Sequence, residues 1–477
     1  MFLCFCLPSP TSTLSLISNI NMSEKTLNKN KTRKRNINSV TKKTPTLVKT
    51  EDIEDSPSFF SKDETHKLRT VLLDWYDRNQ RVLPWRTTLN DEHEEEEVEK
   101  RAYGVWVSEV MLQQTRVQTV IAYFNRWMLK WPTIHHLAKA SLEEVNEIWA
   151  GLGYYRRARF LLEGAKQIVA EGGSIPKTAS TLRKIPGIGD YTSGAIASIA
   201  FKEAVPVVDG NVIRVIARLR AISENPKDSV IIKRFWEIAA QLVDPLRPGD
   251  FNQALMELGA TVCTPLNPSC SSCPASEFCH ALSIAKDNST AAVTDYPIKV
   301  VKVKPRSDFC AVCVVELLGG ENQSSSRFVL VKRPDEGLLA GLWEFPSVLV
   351  DGETAPLARR KATDCFLKKS LKIDIRKTCD VVLREDVGEF VHIFSHIRLK
   401  LYVELLVLQL KGTVGDLLKS KDDETTTWKC VESNALSNMG LTTSVRKVYD
   451  MVKKFKQKRL PSNLVPTKKR TRTTKKN

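Results

Sequence analysis

The strongest motif in this chain is a group of four cysteines, Cys263, Cys270, Cys273 and Cys279, with the spacing C-x6-C-x2-C-x5-C. Eleven cysteines would indicate disulfides only in a small secreted chain. In a chain of 477 residues, four cysteines this close together are instead interpreted as a metal site. Four thiolates in one short loop suit a single 4Fe–4S cube. Structural zinc more often uses two C-x2-C pairs or Cys/His mixtures, and only one such pair is present. The spacing therefore favours a 4Fe–4S cluster, with zinc as the alternative.

The net charge of +17 lies at the two ends of the chain. Residues 1–50 carry nine Lys/Arg and one Glu, and residues 451–477 carry eleven Lys/Arg and no acid. Residues 51–450 are nearly neutral, with 52 basic and 54 acidic side chains, so bulk charge does not identify the folded part as a nucleic-acid binder. The ends contain KNKTRKR (Lys29–Arg35) and KKRTRTTKK (Lys468–Lys476) and lack the apolar residues needed to fold. They favour nuclear import or tethering to DNA over solvated disorder without a role.

A chain this long is expected to form two or three domains. An apolar fraction of 42% and a mean hydropathy of −0.24 exclude collagenous, wholly disordered and polytopic membrane classes, and no stretch is suited to span a bilayer. The first 21 residues carry no charge and fit neither a signal peptide nor a transit peptide, and Met22 is an alternative start. The predicted location is the nucleus, and a mitochondrial pool is left open.

Hydrophobic periodicity divides the chain into five segments. We predict a disordered basic tail (1–55), an all-helical domain of about ten short helices (56–283), a linker (284–307), an α+β domain (308–450) and a second disordered basic tail (451–477). Apolar residues recur at three-to-four spacing in Val105–Trp127, Leu142–Trp149 and Val212–Leu219. The acidic run Asp91–Lys100 is predicted to be a solvated loop.

The period changes after the linker. Predicted strands are Phe309–Leu317, Phe328–Lys332, Val381–Arg384, His392–His396 and Leu399–Leu408, with one helix over Ala355–Leu371. Cys310 and Cys313 would lie on opposite faces of the first strand, and both are predicted to be core residues.

Two further motifs lie in the helical segment. IPGIGDYTSGAI (Ile185–Ile196) has the form of a helix-hairpin-helix, in which Gly187 and Gly189 permit a tight turn at a helix start. The N–H groups of such a start suit a phosphate oxygen, although Gly-x-Gly alone also fits an ordinary turn. VPVVDGNVIRVIARL (Val205–Leu219) places Asp209 just before an amphipathic helix, where Asp is also a common N-cap.

These motifs together resemble the endonuclease III superfamily of DNA glycosylases, which shares the cysteine spacing and an aspartate 18 residues after the position of Tyr191. Further stretches resemble its adenine-specific MutY branch, in the eukaryotic form. They are LPWR (Leu83–Arg86), WVSEVMLQQTRV (Trp106–Val117), GLGYYRRAR (Gly151–Arg159), GLLAGLWEFP (Gly337–Pro346) and FSH (Phe394–His396). The resemblance covers about residues 60–450. It implies an all-α helix-hairpin-helix glycosylase domain with a 4Fe–4S cluster loop, followed by an α+β Nudix-like domain.

The residues of the first domain suit cleavage of an N-glycosidic bond, which needs an acid at the leaving base and negative charge near the sugar. Glu109 lies on an apolar helix face, where a carboxylic acid would have a raised pKa. Asp209 at a helix start would instead stay ionised. The resemblance implies that Glu109 protonates adenine and activates water, that Asp209 stabilises or transiently bonds to the sugar, and that Asn211 and Tyr191 position the reacting groups. Because Tyr191 replaces the Schiff-base lysine of bifunctional relatives, a lysine-dependent strand cleavage should be absent or weak.

Adenine must leave the duplex to be reached, and the resemblance assigns the residues that handle this step. Gln114 and Tyr154 match the wedge positions, and Gly187 and Gly189 the backbone contact. The alternatives are a solvated helix end for Gln114 and core packing for Tyr154. Residues that match the adenine pocket are Trp85, Arg86 and Gln253, the last of which is often Glu in bacterial relatives.

The second domain resembles a Nudix fold without its catalytic box, because TAPLARRKATDCF lacks the carboxylates that would hold magnesium. In the family this domain recognises 8-oxoguanine, so Phe394, Ser395 and His396 are the predicted contact loop; the alternative is a Ser-His pair satisfied within a strand. The zinc-binding connector of mammalian relatives is not carried over, since residues 284–307 contain no Cys.

The predicted protein is thus a monomeric adenine DNA glycosylase that acts on duplex DNA with A:8-oxoguanine or A:G pairs. Further partners implied by the family are a sliding clamp and downstream abasic-site repair proteins. QKRLPSNLV (Gln457–Val465) lacks the paired aromatic residues of a clamp peptide, which gives the clamp little support. Two other hypotheses are an endonuclease III-like lyase, which needs Lys at position 191, and a non-catalytic damage sensor, which would not need Glu109 and Asp209 together.

Overall fold

The computed structural model describes residues 59–86, 95–300, 304–318, 326–411 and 426–459. The chain forms two compact units, each assembled from separate stretches. Described residues of the first unit are 59–79, 208–244 and 253–298, and the remainder belong to the second. The domain limits predicted from the sequence follow changes in hydrophobic periodicity rather than packing, and they stay predictions. None of the described helices combines the length and the apolar character that a membrane span needs.

Residues before the sheet are helical, as predicted. Their α-helices are α1 (Lys62–Asn79), α2 (Glu95–Leu112), α3 (Val117–Lys130), α4 (Ile134–Ala138), α5 (Leu142–Trp149), α6 (Arg156–Ala170), α7 (Ala179–Leu182), α8 (Asp190–Phe201), α9 (Gly210–Leu219), α10 (Ser229–Leu242), α11 (Pro248–Thr261) and α12 (His280–Asp287).

The first unit joins the start of the described chain to residues far along it. The Arg69 guanidinium on α1 donates hydrogen bonds to the main-chain oxygens of Gln241, Leu242 and Val243 at the end of α10. These carbonyls are among the last of their helix, which have no partner within it. Leu68 and Leu72 are fully buried on α1, as are Phe235 and Ile238 on α10. Short 3-10 turns at Cys270–Ser272, Ser276–Phe278 and Val293–Asp295 complete the unit.

Helices α2 to α8 belong to the second unit, and one prediction within them is wrong. Residues 95–100 of the acidic run, predicted to be a loop, form the first turns of α2, where carboxylates are favoured by the helix dipole; residues 87–94 lie outside the described part. The apolar spacing of Val105–Trp127 is helical, as predicted, and is divided between α2 and α3 by a turn after Leu112. Helix α5 matches its prediction residue for residue, and a capping box of Ser141 and Glu144 fixes its start.

The later part of the second unit holds a seven-stranded sheet among its described residues. Its strands are β1 (Arg306–Leu318), β2 (Arg327–Lys332), β3 (Trp343–Glu344), β4 (Ser347–Val350), β5 (Cys379–Ile393), β6 (Ile397–Leu410) and β7 (Trp428–Glu432). The order is β3-β2-β1-β6-β5, with β4 paired to β1 and β7 to β2. Strands β1 and β6 run parallel, and the other pairs are antiparallel. Helices here are α13 (Pro356–Ser370), α14 (Ile375–Thr378), α15 (Ser433–Asn438) and α16 (Thr443–Arg459).

Both faces of this sheet are covered, which explains the long apolar runs of β1 and β6. Cys310 belongs to the buried cluster on one face, which includes Val448 of α16, and Cys313 belongs to the cluster on the other face, which includes Leu367 of α13. The prediction that these two cysteines are core residues on opposite faces is confirmed.

Three boundaries in this region differ from the sequence predictions. Residues 394–396 form a turn between β5 and β6, so the predicted strand His392–His396 ends at Ile393. Helix α16 continues to Arg459, so residues 451–459 are not part of a disordered tail; its buried Val445, Val448 and Val452 anchor a helix whose other face is rich in Lys. The predicted linker begins inside α12, which reaches Asp287, and ends inside β1.

Candidate active site

The predicted acid, Glu109, lies on α2 next to α8, which carries Tyr191. The Glu109 side chain is buried, with 6% of its surface exposed. The Tyr191 hydroxyl donates a hydrogen bond of 2.6 Å to Oε2 of Glu109. Helix α8 is rich in small buried residues such as Gly194, Ala195 and Ala197, which allows the close helix packing that brings these two side chains together. The structure thus joins two of the four predicted catalytic residues by a direct contact.

The predicted helix-hairpin-helix has the expected backbone. Gly187 has φ +79° and lies against Phe160, where an added Cβ would be 2.5 Å from the Phe160 Cβ. Gly189 is the N-cap of α8, and no atom of the described residues lies within 4 Å of the position that its Cβ would take. The turn therefore requires glycine at the first position for conformation and leaves open space at the second. Open space at a helix N-terminus suits the approach of a phosphate group.

The two predicted wedge residues share an unusual backbone conformation. Gln114 has φ +55° and Tyr154 has φ +50°, a region that residues with a side chain rarely adopt. Gln114 is exposed, and Tyr154 is 47% exposed, so Tyr154 is not a core residue. Residues held in such a conformation tend to occur at functional sites. The core-packing alternative for Tyr154 is therefore not supported.

The residues that match the adenine pocket belong to different units. Trp85 and Arg86 lie in a tight turn of the second unit, in which the Arg86 N–H donates to the Leu83 carbonyl. The Trp85 ring packs edge-on against Phe124 at 5.3 Å. Gln253 is a buried residue of α11 in the first unit.

Asp209 is the N-cap of α9 in the first unit. Its Oδ1 accepts hydrogen bonds from the backbone N–H groups of Asn211 and Val212, at 2.9 and 2.8 Å, and its Oδ2 accepts one from the Asn211 amide at 2.7 Å. Burial raises the pKa of Asp209, while these three hydrogen bonds act in the opposite direction. The predicted helix-start environment is present, but the net direction of the pKa is upward because desolvation outweighs the donors.

Two arginines that the sequence analysis did not single out connect α9 to the cysteine loop. Arg214 donates to Oδ1 of Asn211 at 2.9 Å and to the carbonyl oxygens of Gly259 and Cys263. Arg218 is only 2% exposed and donates to Sγ of Cys263 at 3.2 Å and to the carbonyl of Thr264. A chain of hydrogen bonds thus runs from Asp209 through Asn211 and Arg214 to Cys263. The sequence carries one signal for these contacts: Arg214 and Arg218 lie four residues apart in an otherwise apolar helix, and a buried Arg requires partners.

Close approach of α11 to the start of α9 also depends on a glycine. A Cβ at Gly259 would lie 2.7 Å from the Cβ of Asn211 and 3.0 Å from its carbonyl oxygen. Any larger residue at this position would displace Asn211, and with it the partner of Asp209.

All four cysteines of the predicted metal site line one cavity in the first unit. Its other walls are mainly apolar, among them Val215, Leu258 and Val262. All four are free thiols, and burial raises the pKa of Cys273 to about 12. Among the described residues, no three His, Cys, Asp or Glu side chains are gathered about a single metal position. Sulfur ligands around a shared, largely apolar cavity fit an iron–sulfur cluster.

The predicted 8-oxoguanine loop is the turn between β5 and β6 in the second unit. Ser395 and His396 are exposed, and Oγ of Ser395 lies 3.2 Å from Nδ1 of His396. The Phe394 N–H donates to the Ile397 carbonyl, which closes the turn, and the Phe394 ring packs edge-on against His392 at 4.5 Å. Both polar side chains are thus in a loop open to solvent rather than satisfied within a strand.

Comparisons with known proteins first define a class. The family model of an HhH-GPD superfamily base excision DNA repair protein matches residues 107–241, and that of a NUDIX domain matches residues 321–451. A solved thermostable thymine-DNA glycosylase is 26% identical, covering 46% of this chain and 97% of its own, with a TM-score of 0.40. The two family models confirm the predicted fold class, a helix-hairpin-helix domain followed by a Nudix-like domain, and the first of them defines the class, that of base excision DNA repair proteins.

Similar sequences then define the family. An adenine DNA glycosylase of Arabidopsis thaliana is 60% identical over 419 residues, which are 83% of this chain and 65% of the relative's length. One of Mus musculus is 42% identical over 426 residues, with 82% of this chain and 78% of the relative covered. The chain belongs to the adenine DNA glycosylase family of base excision repair. It spans just under two thirds of the plant relative's length.

Proposed function

We propose that this protein hydrolyses the N-glycosidic bond of adenine paired with 8-oxoguanine or guanine in duplex DNA. Family membership supports the adenine substrate, and the observation that carries the chemistry is the hydrogen bond from Tyr191 to Glu109. It combines a buried carboxylate with a phenol at the position where a lysine would be needed for strand cleavage. A lyase would need a lysine in place of this phenol, and a sensor would not need the buried carboxylate.

The proposed reaction uses the two carboxylates in different roles. Glu109 donates a proton to the adenine ring as the C1′–N9 bond breaks, and the bonding electron pair leaves with the base. Asp209 in its ionised form stabilises the positive charge that develops on the sugar. Glu109, now ionised, takes a proton from water, whose oxygen bonds to C1′. The products are free adenine and an abasic site.

Asn211 and Tyr191 position these groups in the proposal. The Asn211 amide holds Oδ2 of Asp209, and its own oxygen is held by Arg214. Tyr191 orients the Glu109 carboxylate. Because a phenol cannot form an imine with the sugar, the enzyme is proposed to be monofunctional.

Recognition of the opposite base is assigned to Phe394, Ser395 and His396. Their exposure in a turn supports this assignment, since a base edge can be reached only by side chains that are open to solvent. Insertion into the duplex is assigned to Gln114 and Tyr154, the phosphate contact to Gly187 and Gly189, and adenine binding to Trp85, Arg86 and Gln253.

A 4Fe–4S cluster held by Cys263, Cys270, Cys273 and Cys279 is the proposed cofactor. The cavity that the four thiols share supports it, and the spacing, with only one C-x2-C pair, favours it over zinc. Bound there, the cluster would cross-link residues 263–279 and offset part of the negative charge of the four thiolates. Arg214 and Arg218 hold the first of these cysteines relative to Asp209 and Asn211.

Duplex DNA is the proposed partner of the enzyme, and the nucleus its proposed location. The two basic motifs that support the nucleus lie outside the described residues, as does most of the segment considered for a sliding clamp. Contacts with a clamp and with downstream abasic-site repair proteins stay predictions.

One assay separates the three functional hypotheses. A duplex with one A:8-oxoguanine pair is incubated with the protein and then analysed with and without hot alkali. Strand breaks that appear only after alkali support the proposed monofunctional glycosylase. Breaks without alkali would indicate a lyase, and intact DNA in both arms would indicate a sensor.

A further inference from the structure

The buried side chain of Arg157, on α6, connects two parts of the second unit. Its Nη1 donates to three main-chain oxygens at the end of α2, those of Val110 at 2.8 Å, Met111 at 3.1 Å and Gln113 at 2.5 Å. Its Nη2 donates to the carbonyl oxygen of Gly153 at 3.1 Å. The side chain is 9% exposed. A single guanidinium therefore ties the end of the Glu109 helix to the loop before α6.

Two of these carbonyls belong to the residues directly before the wedge residues. Gln113 precedes Gln114, and Gly153 precedes Tyr154. A carbonyl oxygen lies in the peptide plane that also contains the backbone N and Cα of the next residue. Hydrogen bonds that fix the oxygen therefore fix this plane and restrict the backbone conformation of the next residue. The next residue is in both cases one with positive φ. Such a conformation persists only where the surroundings impose it.

The guanidinium of Arg157 also lies over two aromatic rings. Its guanidinium carbon lies 5.3 Å from the ring centroid of Trp149 and 5.3 Å from that of Tyr154. Trp149 supports the same loop, because its indole N–H donates to the Gly153 carbonyl at 2.8 Å. Only a planar group with several N–H donors can stack on rings and hold four carbonyls together, and Lys cannot replace it.

We propose that Arg157 is a positioning residue for insertion into DNA, one that holds the backbones of Gln114 and Tyr154 in their inserting conformation before DNA binds. The inference rests on the proposed function, which assigns these two residues to the wedge. Ordering the wedge in advance removes an entropic cost from the step in which adenine leaves the helix.

Arg157→Lys tests this proposal, with Arg159→Lys as the matched control. Arg159 is two residues further along α6, pairs with Glu163 and makes none of these contacts. The DNA carries a 2′-fluoro adenosine, which resists cleavage, opposite 8-oxoguanine, and a neighbouring 2-aminopurine, whose fluorescence rises when stacking is lost. We expect Arg157→Lys to bind this duplex but to lose most of the rise, while the parent and the control show it in full. Single-turnover adenine release should fall by about tenfold to a hundredfold.

The fluorescence readout does not require bond cleavage, so it separates this inference from the proposed chemistry. A full rise with Arg157→Lys would overturn the inference. A parent that releases adenine yet gives no rise would overturn the wedge assignment and the inference with it. If Arg157→Lys does not fold, as judged by its circular dichroism, Gly153→Ala decides. In the described part of the chain no atom lies within 4 Å of the new Cβ, so this change strains the backbone at φ +79° without a steric clash there. Loss of the rise in this variant supports the proposal, and a full rise contradicts it.

Discussion

The Tyr191 hydroxyl donates a hydrogen bond of 2.6 Å to the Glu109 carboxylate, which is buried between helices. A buried carboxylate needs a partner, and here the partner is the second residue of the helix that follows the hairpin turn. The turn proposed to hold the DNA backbone and the acid proposed to protonate the base are thus linked through one side chain.

Tyr191→Phe should slow adenine release by about tenfold to a hundredfold, because Glu109 becomes ionised as it gives up its proton and a hydrogen bond to a charged group contributes about 1.5–3 kcal/mol. Single-turnover rates and DNA binding measured side by side would show a loss in the first only. Tyr449→Phe is the matched control, since it removes a phenol that bonds with Ser433 in the Nudix-like part. Equal rates for Tyr191→Phe and the parent would exclude a role for this hydrogen bond.

Asp209→Asn should bind DNA and release adenine at least about a thousandfold more slowly. The amide oxygen can still accept the two backbone N–H groups, so the start of α9 is kept while the charge is lost. Asp228→Asn makes the same change at the N-cap of α10 and should leave the rate unaltered. A single-turnover rate close to the parent's in Asp209→Asn would refute the assignment.

Adenine release should decline on acidification at a higher pH than an ordinary aspartate would cause. Burial raises the pKa of Asp209, so its negative charge is lost as the pH falls through a value above about 3.9. Asn211→Ala removes a hydrogen bond that lowers the pKa of Asp209, so the loss of rate on acidification should begin at a still higher pH. Single-turnover rates across a pH series test both statements, and a loss of rate that begins only below the usual pKa range of Asp would contradict them.

The purified protein should contain about four iron atoms per chain and show broad visible absorption near roughly 400 nm. Arg218→Lys should lower the iron content, because it removes the guanidinium whose Nη1 donates to both Sγ and the carbonyl oxygen of Cys263. Arg234→Lys, which alters a pair with Glu224, is the control. Stoichiometric zinc without iron in protein purified under argon would overturn the cluster assignment.

Ser395→Ala combined with His396→Ala should reduce the preference for A:8-oxoguanine over A:G by about one to two decades, since a base-edge contact carries about 1–3 kcal/mol of discrimination. Both side chains are exposed, so the fold should not change. Adenine release from A:G should stay near the parent's rate. An unchanged preference would place recognition of the opposite base elsewhere.

Local signals explain which elements could be predicted from the sequence. Helix α5 is marked by its own capping box of Ser141 and Glu144, and the cysteine loop by spacing alone. Cys310 and Cys313 follow from strand alternation. In α16, the abundance of Lys concealed the three-to-four spacing of Val445, Val448 and Val452.

Tertiary partners explain what could not be predicted. Arg157, Arg214 and Arg218 each donate to at least one carbonyl that lies 44 to 49 residues away in the chain, and a charged residue in a helical pattern does not reveal such partners. The upward pKa of Asp209 likewise depends on burial by neighbouring elements, whereas its capping role is local.

The first unit has a consequence for synthesis on the ribosome, because its pieces are far apart in the sequence. The bond from Arg69 to Leu242 spans 173 residues, and Ile298 donates to the Ser223 carbonyl. A chain made from its N-terminus therefore exposes the apolar face of α1, with Leu68 and Leu72, until α10 has emerged. The unit is complete only once residue 298 has been made. A nascent chain that stops before Gln253 would thus lack all four cysteines and expose apolar surface that chaperones and proteases recognise.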